Sequence, residues 1–485
     1  MTDRRPNLLL IILDTLRRDR LQIYGNPRPT SPHFDQFASD HLLFTRAVAP
    51  AQWTIPAHSS MFTGVYPARH GVTQSNSALS GSLPTLAEIL TASGYHTAAF
   101  CNNPLVGVLD NGLQRGFTDF FNYASAIPNR PYGLPESRAK HAFLRWFRPH
   151  ARRIGNQFAK SDDLFRIALN PLFVPIWSKY IRFKGSTSES ISDLISFWRA
   201  YHDGGRERPL FTFVNLMGAH TPYHPPRDVL ERIAPEINRD KRAFAFMRQF
   251  NADGAAWASP RETPLEDWQM DTIDAFYQAE IAAQDEQLGK LLYFLKQTGG
   301  LDNTVVVIAA DHGEMHGEHD YFGHGFSVHQ PLVHVPMAMR LPDAPSAEIA
   351  ASISTRRLFH TFLELAGAET PLDPADPNAD VFGLSLINEI ERGITADGGT
   401  PLSEAIPPMT FLNVLKHRAP ALINTMQLLE TRRTVYDGDY KLIMRADEVE
   451  GLYAVERDPD EARNLADDPD QAARIEALKR KILPL

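Results

Sequence analysis

The sequence predicts an α/β protein with a large, mixed but mostly parallel sheet covered on both faces by helices. A smaller C-terminal α+β subdomain with a short antiparallel sheet is expected to follow. Short apolar runs recur along the chain between helix-like stretches, and continuous apolar runs are typical of parallel strands buried on both faces. The runs that predict strands are Asn7–Leu13, His96–Cys101, Leu210–Leu216, Thr304–Ala310 and Val333–Arg340.

Two stretches between these runs carry helix signals. Leu83–Ser93 has apolar residues at helical spacing and stops at Gly94. Asp274–Leu295 keeps the same spacing over several turns and is closed by Gly299. Helices that alternate with apolar strands are the pattern of an α/β domain.

The chain divides at a linker rich in proline and aspartate, TPLDPADPNAD. We expect residues 1–372 to form the catalytic domain and residues 373–485 the C-terminal subdomain, since 485 residues exceed what one hydrophobic core usually serves. In the second part, RRTVYDGDYKLIM predicts two antiparallel strands around an Asp-Gly turn, and Asp470–Leu483 predicts an amphipathic helix.

Composition excludes several classes of protein. The formal charge of −9 gives no general reason to expect a nucleic-acid partner. A single cysteine, Cys101, allows no intrachain disulfide and no thiolate zinc cluster, and it fits a reducing, cytoplasmic location. The apolar run Leu8–Leu13 is too short for a signal-peptide core, and no run of apolar residues is long enough to predict a membrane-spanning helix.

A basic and aromatic insert interrupts the catalytic domain at about residues 130–200. Between Arg138 and Lys184 there are eleven lysines or arginines but only two acids. Three uses are open for this segment: a wall of the substrate pocket, a surface that lies on anionic lipid, or a contact with another subunit.

Polar residues follow four of the predicted strands, within a few positions of the strand end. They are Asp14, Asn102 with Asn103, His220, and Asp311 with His312. In an open parallel sheet, ligands gather at the carboxyl ends of the strands. Carboxylates at one edge would repel each other and would be costly to desolvate without a cation, so we expect one divalent metal ion there.

Several blocks of sequence resemble, in the same order, those of the sulfatase family within the alkaline-phosphatase superfamily. The resemblance covers most of the chain except the basic insert, and it extends to the tail YDGDYKLI…GLYAVERDPDEARNLA. It implies an alkaline-phosphatase-like fold. The other blocks that carry the resemblance are LLIILDTLRRDRLQIYG, WTIPAHSSMFTGVYPARHGV, LPTLAEILTASGYHTAAF, MGAHTPYHPP and DNTVVVIAADHGEMHGEHDYFGHG.

The resemblance implies a metal-bound nucleophile at a helix start that attacks sulfur or phosphorus in line. Asp14, Asp311 and His312 would be metal ligands, and Thr54 would be both ligand and nucleophile. His220 and His324 match positions that contact the transferred group or protonate the leaving oxygen. Asn102 falls where sulfatases usually have a lysine, and with Asn103 it is expected to bind substrate.

Three departures from the family pattern change the expected chemistry. Most sulfatases have Cys or Ser at the position of Thr54, because that residue is oxidised to an aldehyde. A secondary alcohol cannot form an aldehyde, so we expect no formylglycine and direct attack by the threonine oxygen. His58 replaces the usual arginine and is also expected to be catalytic. Thr15 replaces a second acid, and a softer ligand set that includes His312 favours Mn²⁺ or Zn²⁺, with Ca²⁺ or Mg²⁺ as alternatives.

A threonine nucleophile favours phosphate monoesters or diesters over sulfate esters as substrates. A sulfated threonine would have to be cleaved by water that attacks sulfur, whereas the aldehyde hydrate of other sulfatases ejects sulfate by elimination. A phosphothreonine can be hydrolysed by in-line attack when its charge is offset. The alternatives are an arylsulfatase-like sulfate ester hydrolase, a phosphotransferase to an alcohol, and a non-catalytic binding protein. A second metal site at His224 is a weaker hypothesis, and Glu314, His316 and His319 are expected to be loop or solvated side chains.

Overall fold

The computed structural model describes residues 5–124, 128–131, 182–205, 208–255, 259–370, 384–392 and 400–482, with a few isolated residues between 150 and 174. Most of the basic insert and most of the linker at 370–380 lie outside the described residues. The predictions for these two segments therefore stay predictions.

The main sheet has eight strands in the order β10-β2-β9-β6-β1-β5-β3-β4. All neighbouring pairs among its described strands are parallel except those that involve β9, which runs antiparallel to both β2 and β6. The strands are β1 (Asn7–Leu13), β2 (Leu42–Val48), β3 (His96–Cys101), β4 (Asp119–Asn122), β5 (Leu210–Leu216), β6 (Thr304–Ala309), β9 (His334–Arg340) and β10 (Ala347–Ser354), with a separate ribbon of β7 (Met315–His316) and β8 (Phe322–Gly323).

The prediction of a large, mixed but mostly parallel sheet is confirmed, and β9, at the predicted run Val333–Arg340, is its antiparallel strand. β6 ends and β9 begins at the same edge of the sheet, because the chain between them makes a loop excursion at residues 310–333 instead of crossing back along a helix. A parallel strand would have needed such a crossover. The apolar pattern could not reveal this direction, because β9 is buried in the same way as its neighbours.

Helices cover the sheet, and the two predicted examples are present with shifted ends. The first is shorter than predicted: it runs over Leu86–Ala92 and begins with a capping box between Thr85 and Glu88. The second is longer and runs over Asp267–Gln297. The helices of the described residues are α1 (Pro32–Asp40), α2 (Thr54–Thr63), α3 (Pro67–His70), α4 (Leu86–Ala92), α5 (Pro104–Gly107), α6 (Thr187–Asp203), α7 (Arg227–Ile233), α8 (Pro235–Arg239), α9 (Lys241–Ala252), α10 (Asp267–Gln297), α11 (Gln330–Val333), α12 (Leu358–Ala366), α13 (Leu386–Arg392), α14 (Met409–Arg418), α15 (Pro420–Thr425) and α16 (Ala472–Ile482).

The C-terminal part contains the antiparallel sheet that the sequence predicts. Its four strands are β11 (Leu402–Ala405), β12 (Arg432–Asp437), β13 (Tyr440–Arg445) and β14 (Glu448–Ala454), in that order. Gly438 takes a left-handed conformation (φ 57°) in the turn between β12 and β13. Helix α13 packs against the large domain and not against this small sheet. Its Leu386 belongs to the core of the large sheet, and its Glu389 pairs with Arg357 at 3.0 Å.

A buried charge cluster joins the C-terminal part to the end of the 310–333 loop. Glu461 accepts hydrogen bonds from Lys441 Nζ (2.6 Å), His329 Nδ1 (2.9 Å) and the Gln330 backbone (2.7 Å). Lys441 Nζ also donates to the Val328 carbonyl at 2.7 Å. Both charged side chains are inaccessible to solvent, so each depends on the other for compensation.

Within the described part of the chain, no helix has the length and the apolar character needed to cross a bilayer.

Candidate active site

The predicted site residues meet at the carboxyl-terminal edge of the main sheet. Asp14 directly follows β1, Asn102 and Asn103 follow β3, and Asp311 follows β6 by one residue. Thr54 is the first residue of α2, and its side chain is only 1% exposed. The chain therefore brings together residues that are about 300 positions apart in the sequence because neighbouring parallel strands end at one edge.

Two buried carboxylates each keep one oxygen without a partner among the described residues. Asp311 Oδ1 accepts from the backbone N–H groups of Thr15 (3.3 Å) and His312 (3.0 Å), whereas Oδ2 accepts no hydrogen bond. Asp14 Oδ2 accepts from two side-chain amides, and its Oδ1 accepts none. Thr15 holds its place through a strained left-handed backbone (φ 58°).

The pKa values of both carboxyl groups are raised. Burial raises the pKa of Asp14 to about 6, although the hydrogen bonds from Asn103 and Asn215 oppose this change. The pKa of Asp311 rises well above its usual value because of burial and then because of the charge of Asp14. Two such groups share the site as anions only when a positive charge compensates them.

His312 completes a donor set that fits a divalent cation. Its Nδ1 lies 2.8 Å from the Gly313 carbonyl, which can only accept, so Nδ1 carries the proton and Nε2 presents a lone pair. Nε2 lies 3.4 Å from Asp311 Oδ2 and 4.0 Å from Asp14 Oδ1. One ligand atom from each of the three residues lies within 4.8 Å of the other two. Two unpartnered carboxylate oxygens and a neutral imidazole nitrogen are a ligand set that suits Mn²⁺ or Zn²⁺.

Thr54 Oγ1 lies beside this donor set. It is 3.3 Å from His312 Nε2 and 3.4 Å from Asn103 Nδ2. The same Asn103 amide donates to Asp14 Oδ2 at 2.6 Å, and its oxygen accepts from the Leu105 N–H at 2.8 Å. The amide of Asn103 is thus engaged with a predicted metal ligand and the predicted nucleophile.

Asn215 is a site residue that the sequence analysis missed. Its Nδ2 donates to Asp14 Oδ2 and to His58 Nε2, both at 3.3 Å. Asn215 lies inside β5 in a run of buried apolar residues, FTFVNLM. A buried amide in such a strand must find polar partners, and this was the signal that could have identified it.

His58 lies within the site as a neutral side chain. Its Nδ1 donates to the Thr54 carbonyl at 2.9 Å, one turn earlier in α2, and it is 3.4 Å from Asp311 Oδ2. Burial lowers the pKa of His58 to about 4. The ring also packs edge-on against Phe62 and Phe213. A neutral imidazole in these contacts can hold the start of α2 in place, but it does not supply the positive charge of an arginine.

His220 and His324 are neighbours whose pKa values are shifted in opposite directions. Their ring centroids are 5.3 Å apart. His220 Nδ1 donates to the Thr221 carbonyl at 2.6 Å, and burial, followed by the charge of His324, lowers its pKa to about 4. His324 Nδ1 instead lies 2.8 Å from Glu314 Oε1. Burial alone would lower the pKa of His324, but the Glu314 carboxylate raises it above its usual value.

Glu314 makes a hydrogen bond within its loop, but the prediction that its side chain is solvated was wrong. Glu314 is 1% exposed and pairs with His324 across ten residues of the loop. His316 is also buried and contacts the Tyr223 hydroxyl at 2.9 Å, whereas His319 is half-buried and stacks on His329. Two groups of side chains among the described residues could hold a metal ion, and His224 is in neither. They are Asp14 with Asp311 and His312, and His319 with His329 and Glu461.

Comparisons with known proteins agree with this fold. The sequence model described as Sulfatase matches residues 6–368. The chain is 27% identical over 431 residues to a steryl-sulfatase from Rattus norvegicus, covering 79% of this chain and 70% of the relative. It is 23% identical to an N-acetylglucosamine-6-O-sulfatase from Bacteroides thetaiotaomicron, covering 95% and 83%. Among solved structures, a phosphonate monoester hydrolase of Agrobacterium radiobacter superposes with a TM-score of 0.64 at 23% identity, covering 99% of this chain and 95% of that one.

Proposed function

The chain belongs to the sulfatase family of ester hydrolases, and on that premise we propose that it cleaves phosphate monoesters or diesters by direct attack of Thr54. One observation carries the proposal: Thr54 Oγ1 lies 3.3 Å from His312 Nε2, next to two buried carboxylates with unpartnered oxygens. Thr54 would attack through its own hydroxyl oxygen, because a secondary alcohol cannot be oxidised to an aldehyde.

Asp14, Asp311, His312 and Thr54 would hold one divalent cation. When bound, the cation would lower the pKa of the Thr54 hydroxyl and offset negative charge on the transferred group. The Asn103 amide, 3.4 Å from Oγ1, donates to that oxygen and favours its anionic form. Helix α2 begins at Thr54, so the positive end of its helix dipole lies at the same position and stabilises an anion there.

The reaction then proceeds in two in-line displacements. In the first, Thr54 Oγ1, which has lost its proton to solvent, forms a bond to phosphorus while the bond to the leaving oxygen breaks, and His324 donates a proton from Nε2 to that oxygen. In the second, water attacks phosphorus, its proton passes to the Nε2 that His324 left unprotonated, and the bond to Thr54 breaks, which restores the Thr54 alkoxide and the protonated His324. His220, whose Nδ1 proton is engaged by the Thr221 carbonyl, leaves Nε2 free to accept a hydrogen bond from the attacking water.

Hydrolysis of sulfate esters is the second candidate function. It is favoured by the names of relatives such as the steryl-sulfatase and the N-acetylglucosamine-6-O-sulfatase. The phosphonate monoester hydrolase among the structural neighbours favours phosphorus chemistry instead. A shared fold at this identity does not decide between the two.

A rate comparison on matched substrates tests the proposal. The protein is assayed with an aryl sulfate, an aryl phosphate, an aryl phosphodiester and an aryl phosphonate, with Mn²⁺, Zn²⁺, Ca²⁺ and Mg²⁺ supplied separately. We expect the phosphodiester or the phosphate to give the highest kcat/KM. An aryl sulfate that is cleaved faster than every phosphorus ester would favour the second candidate. A second product formed in the presence of an added alcohol would identify a transferase.

The role of Thr54 is tested with two variants. Thr54→Val removes the hydroxyl but keeps the shape of the side chain, and we expect it to lower kcat by at least about a thousandfold. Thr54→Ser keeps a hydroxyl and should retain part of the activity. Quenched wild-type protein should carry one phosphoryl group on Thr54 by peptide mass spectrometry. Normal turnover in Thr54→Val would exclude Thr54 as nucleophile.

A further inference from the structure

We infer that a cavity beside the site binds the organic group of the ester and that it takes a single planar ring. The cavity has a volume of about 240 Å³ and lies between residues 182–189 and the loop at residues 222–224. The inference rests on the proposed function, because it names the part of the substrate that is not transferred to Thr54.

Two residues that line the cavity also contact predicted site residues. The Phe183 ring lies 5.7 Å from the His220 ring, in an edge-to-face arrangement. Gly185 packs against Asn102 so closely that a Cβ atom at Gly185 would lie 3.0 Å from Asn102 Cγ. Gly185 also has a left-handed backbone (φ 61°), so both its conformation and this contact favour glycine. The cavity therefore adjoins His220 and Asn102 through these two residues of its wall.

Asn102 indicates where a ligand crosses from the site into the cavity. It is fully buried, and both atoms of its amide lack a hydrogen-bond partner among the described residues. Buried amide groups are almost always hydrogen-bonded, so this one points to a polar group that binds there. The next residue in the chain, Asn103, contacts Thr54 Oγ1, so Asn102 lies one residue from a direct contact of the predicted nucleophile. The ester oxygens are the chemistry that fits a side-chain amide.

The walls of the cavity are held together by one carboxylate of α10. Glu280 Oε1 accepts from Lys184 Nζ at 3.0 Å and from the backbone N–H of His224 at 2.6 Å. Lys184 Nζ also donates to the Pro222 carbonyl at 3.1 Å. Because Glu280 compensates the charge of Lys184, this lysine does not select for a second anionic group. The cavity is shaped before substrate binds, and its selectivity comes from size and from Phe183.

The volume of the cavity suits an occupant of about one ring. Pockets for drug-sized ligands usually have volumes of about 300–1,000 Å³, and this cavity is smaller. An aromatic side chain on the wall nearest His220 favours a planar ring, because two rings attract each other at an edge-to-face or offset contact. The group expected here is an aryl or similar flat single-ring substituent on the ester oxygen.

The test measures binding of two phosphonates that cannot be cleaved as esters. Phenylphosphonate and methylphosphonate share the anionic group and differ in the ring. By calorimetric titration in Mn²⁺, the wild-type protein should bind phenylphosphonate about tenfold more tightly. Phe183→Ala should remove most of this preference without changing the affinity for methylphosphonate. Phe183→Leu, which keeps more of the apolar volume, should retain part of it.

Tyr293→Ala provides the matched control, since Tyr293 is an aromatic residue of α10 that is 67% exposed. It should leave both affinities unchanged. Equal binding of the two phosphonates by wild type, including no binding of either, would overturn the inference, as would equal weakening of both by Phe183→Ala. If the ring preference is found but no ester is cleaved, the proposed function fails and the subsite stands. If an ester is cleaved but no ring preference is found, the proposed function stands and the subsite fails.

Discussion

Glu461→Gln is expected to destabilise the protein by about 3 kcal/mol at pH 7. Glu461 is buried between Lys441 and His329, and its two oxygens accept the hydrogen bonds that connect the C-terminal sheet to residues 328–330. Burial would raise the pKa of Glu461, but Lys441 and then His329 lower it from 4.5 to about 2. A difference of about 2.5 pKa units corresponds to about 3 kcal/mol at 1.36 kcal/mol per unit.

The same shift predicts how the effect depends on pH. The folded-state pKa lies below the unfolded value, so the stabilisation is complete above pH 4.5 and is lost as the pH falls toward 2. Between pH 7 and pH 4, the difference in stability between wild type and Glu461→Gln should shrink by about 1 kcal/mol. The glutamine would also leave the ammonium group of Lys441 buried without its counter-charge, which adds to the loss at neutral pH.

Urea unfolding followed by circular dichroism measures this difference at each pH. Glu448→Gln is the matched control, because Glu448 belongs to the same small sheet and pairs with Arg445 but is 75% exposed. An exposed pair contributes about 0–1 kcal/mol, so this variant should unfold nearly like wild type. Glu461→Gln with wild-type stability at pH 7, or a difference that grows toward pH 4, would refute the reasoning.

Two further predictions concern the site. Asp311→Asn should weaken Mn²⁺ binding by at least about tenfold in calorimetric titration, because it removes one of two carboxylate charges from the donor set. The control Asp302→Asn, at an exposed aspartate, should leave Mn²⁺ binding unchanged. Unchanged affinity in Asp311→Asn would exclude this residue as a ligand. Glu314→Gln should lower kcat/KM and move the basic limb of its pH profile to lower pH, since the Glu314 carboxylate raises the pKa of His324 and the acid must be protonated to act. A basic limb that stays in place would show that His324 is not the acid.

The sequence predicted the central strands of the sheet well because they are uniformly apolar. β1, β5 and β6 are buried along nearly their whole length, and this burial requires a continuous apolar run. The outer strands were missed for the same reason. β10 is exposed over its first half, so its sequence AEIAASIS is not a continuous apolar run. An edge strand contacts solvent, and the pattern that marks a buried strand is then lost.

The site was predictable where a polar residue directly follows an apolar strand. Asp14 and Asp311 were predicted in this way, and they lie together because the fold brings strand ends together regardless of their separation in sequence. The pairing of Glu314 with His324 could not be predicted, because it depends on how one irregular loop folds back on itself. A loop has no periodicity from which the partner of a side chain can be read.

The reversed direction of β9 bears on how related enzymes diversify. β6 ends and β9 begins at one edge of the sheet, so residues 310–333 leave the scaffold and return to it without crossing it. The turn at residues 317–320 is a partly exposed part of this stretch, so an insertion there should leave the register of both flanking strands unchanged. Variation at this turn that keeps Asp311, His312 and His324 offers a route to new substrate preferences on a constant framework.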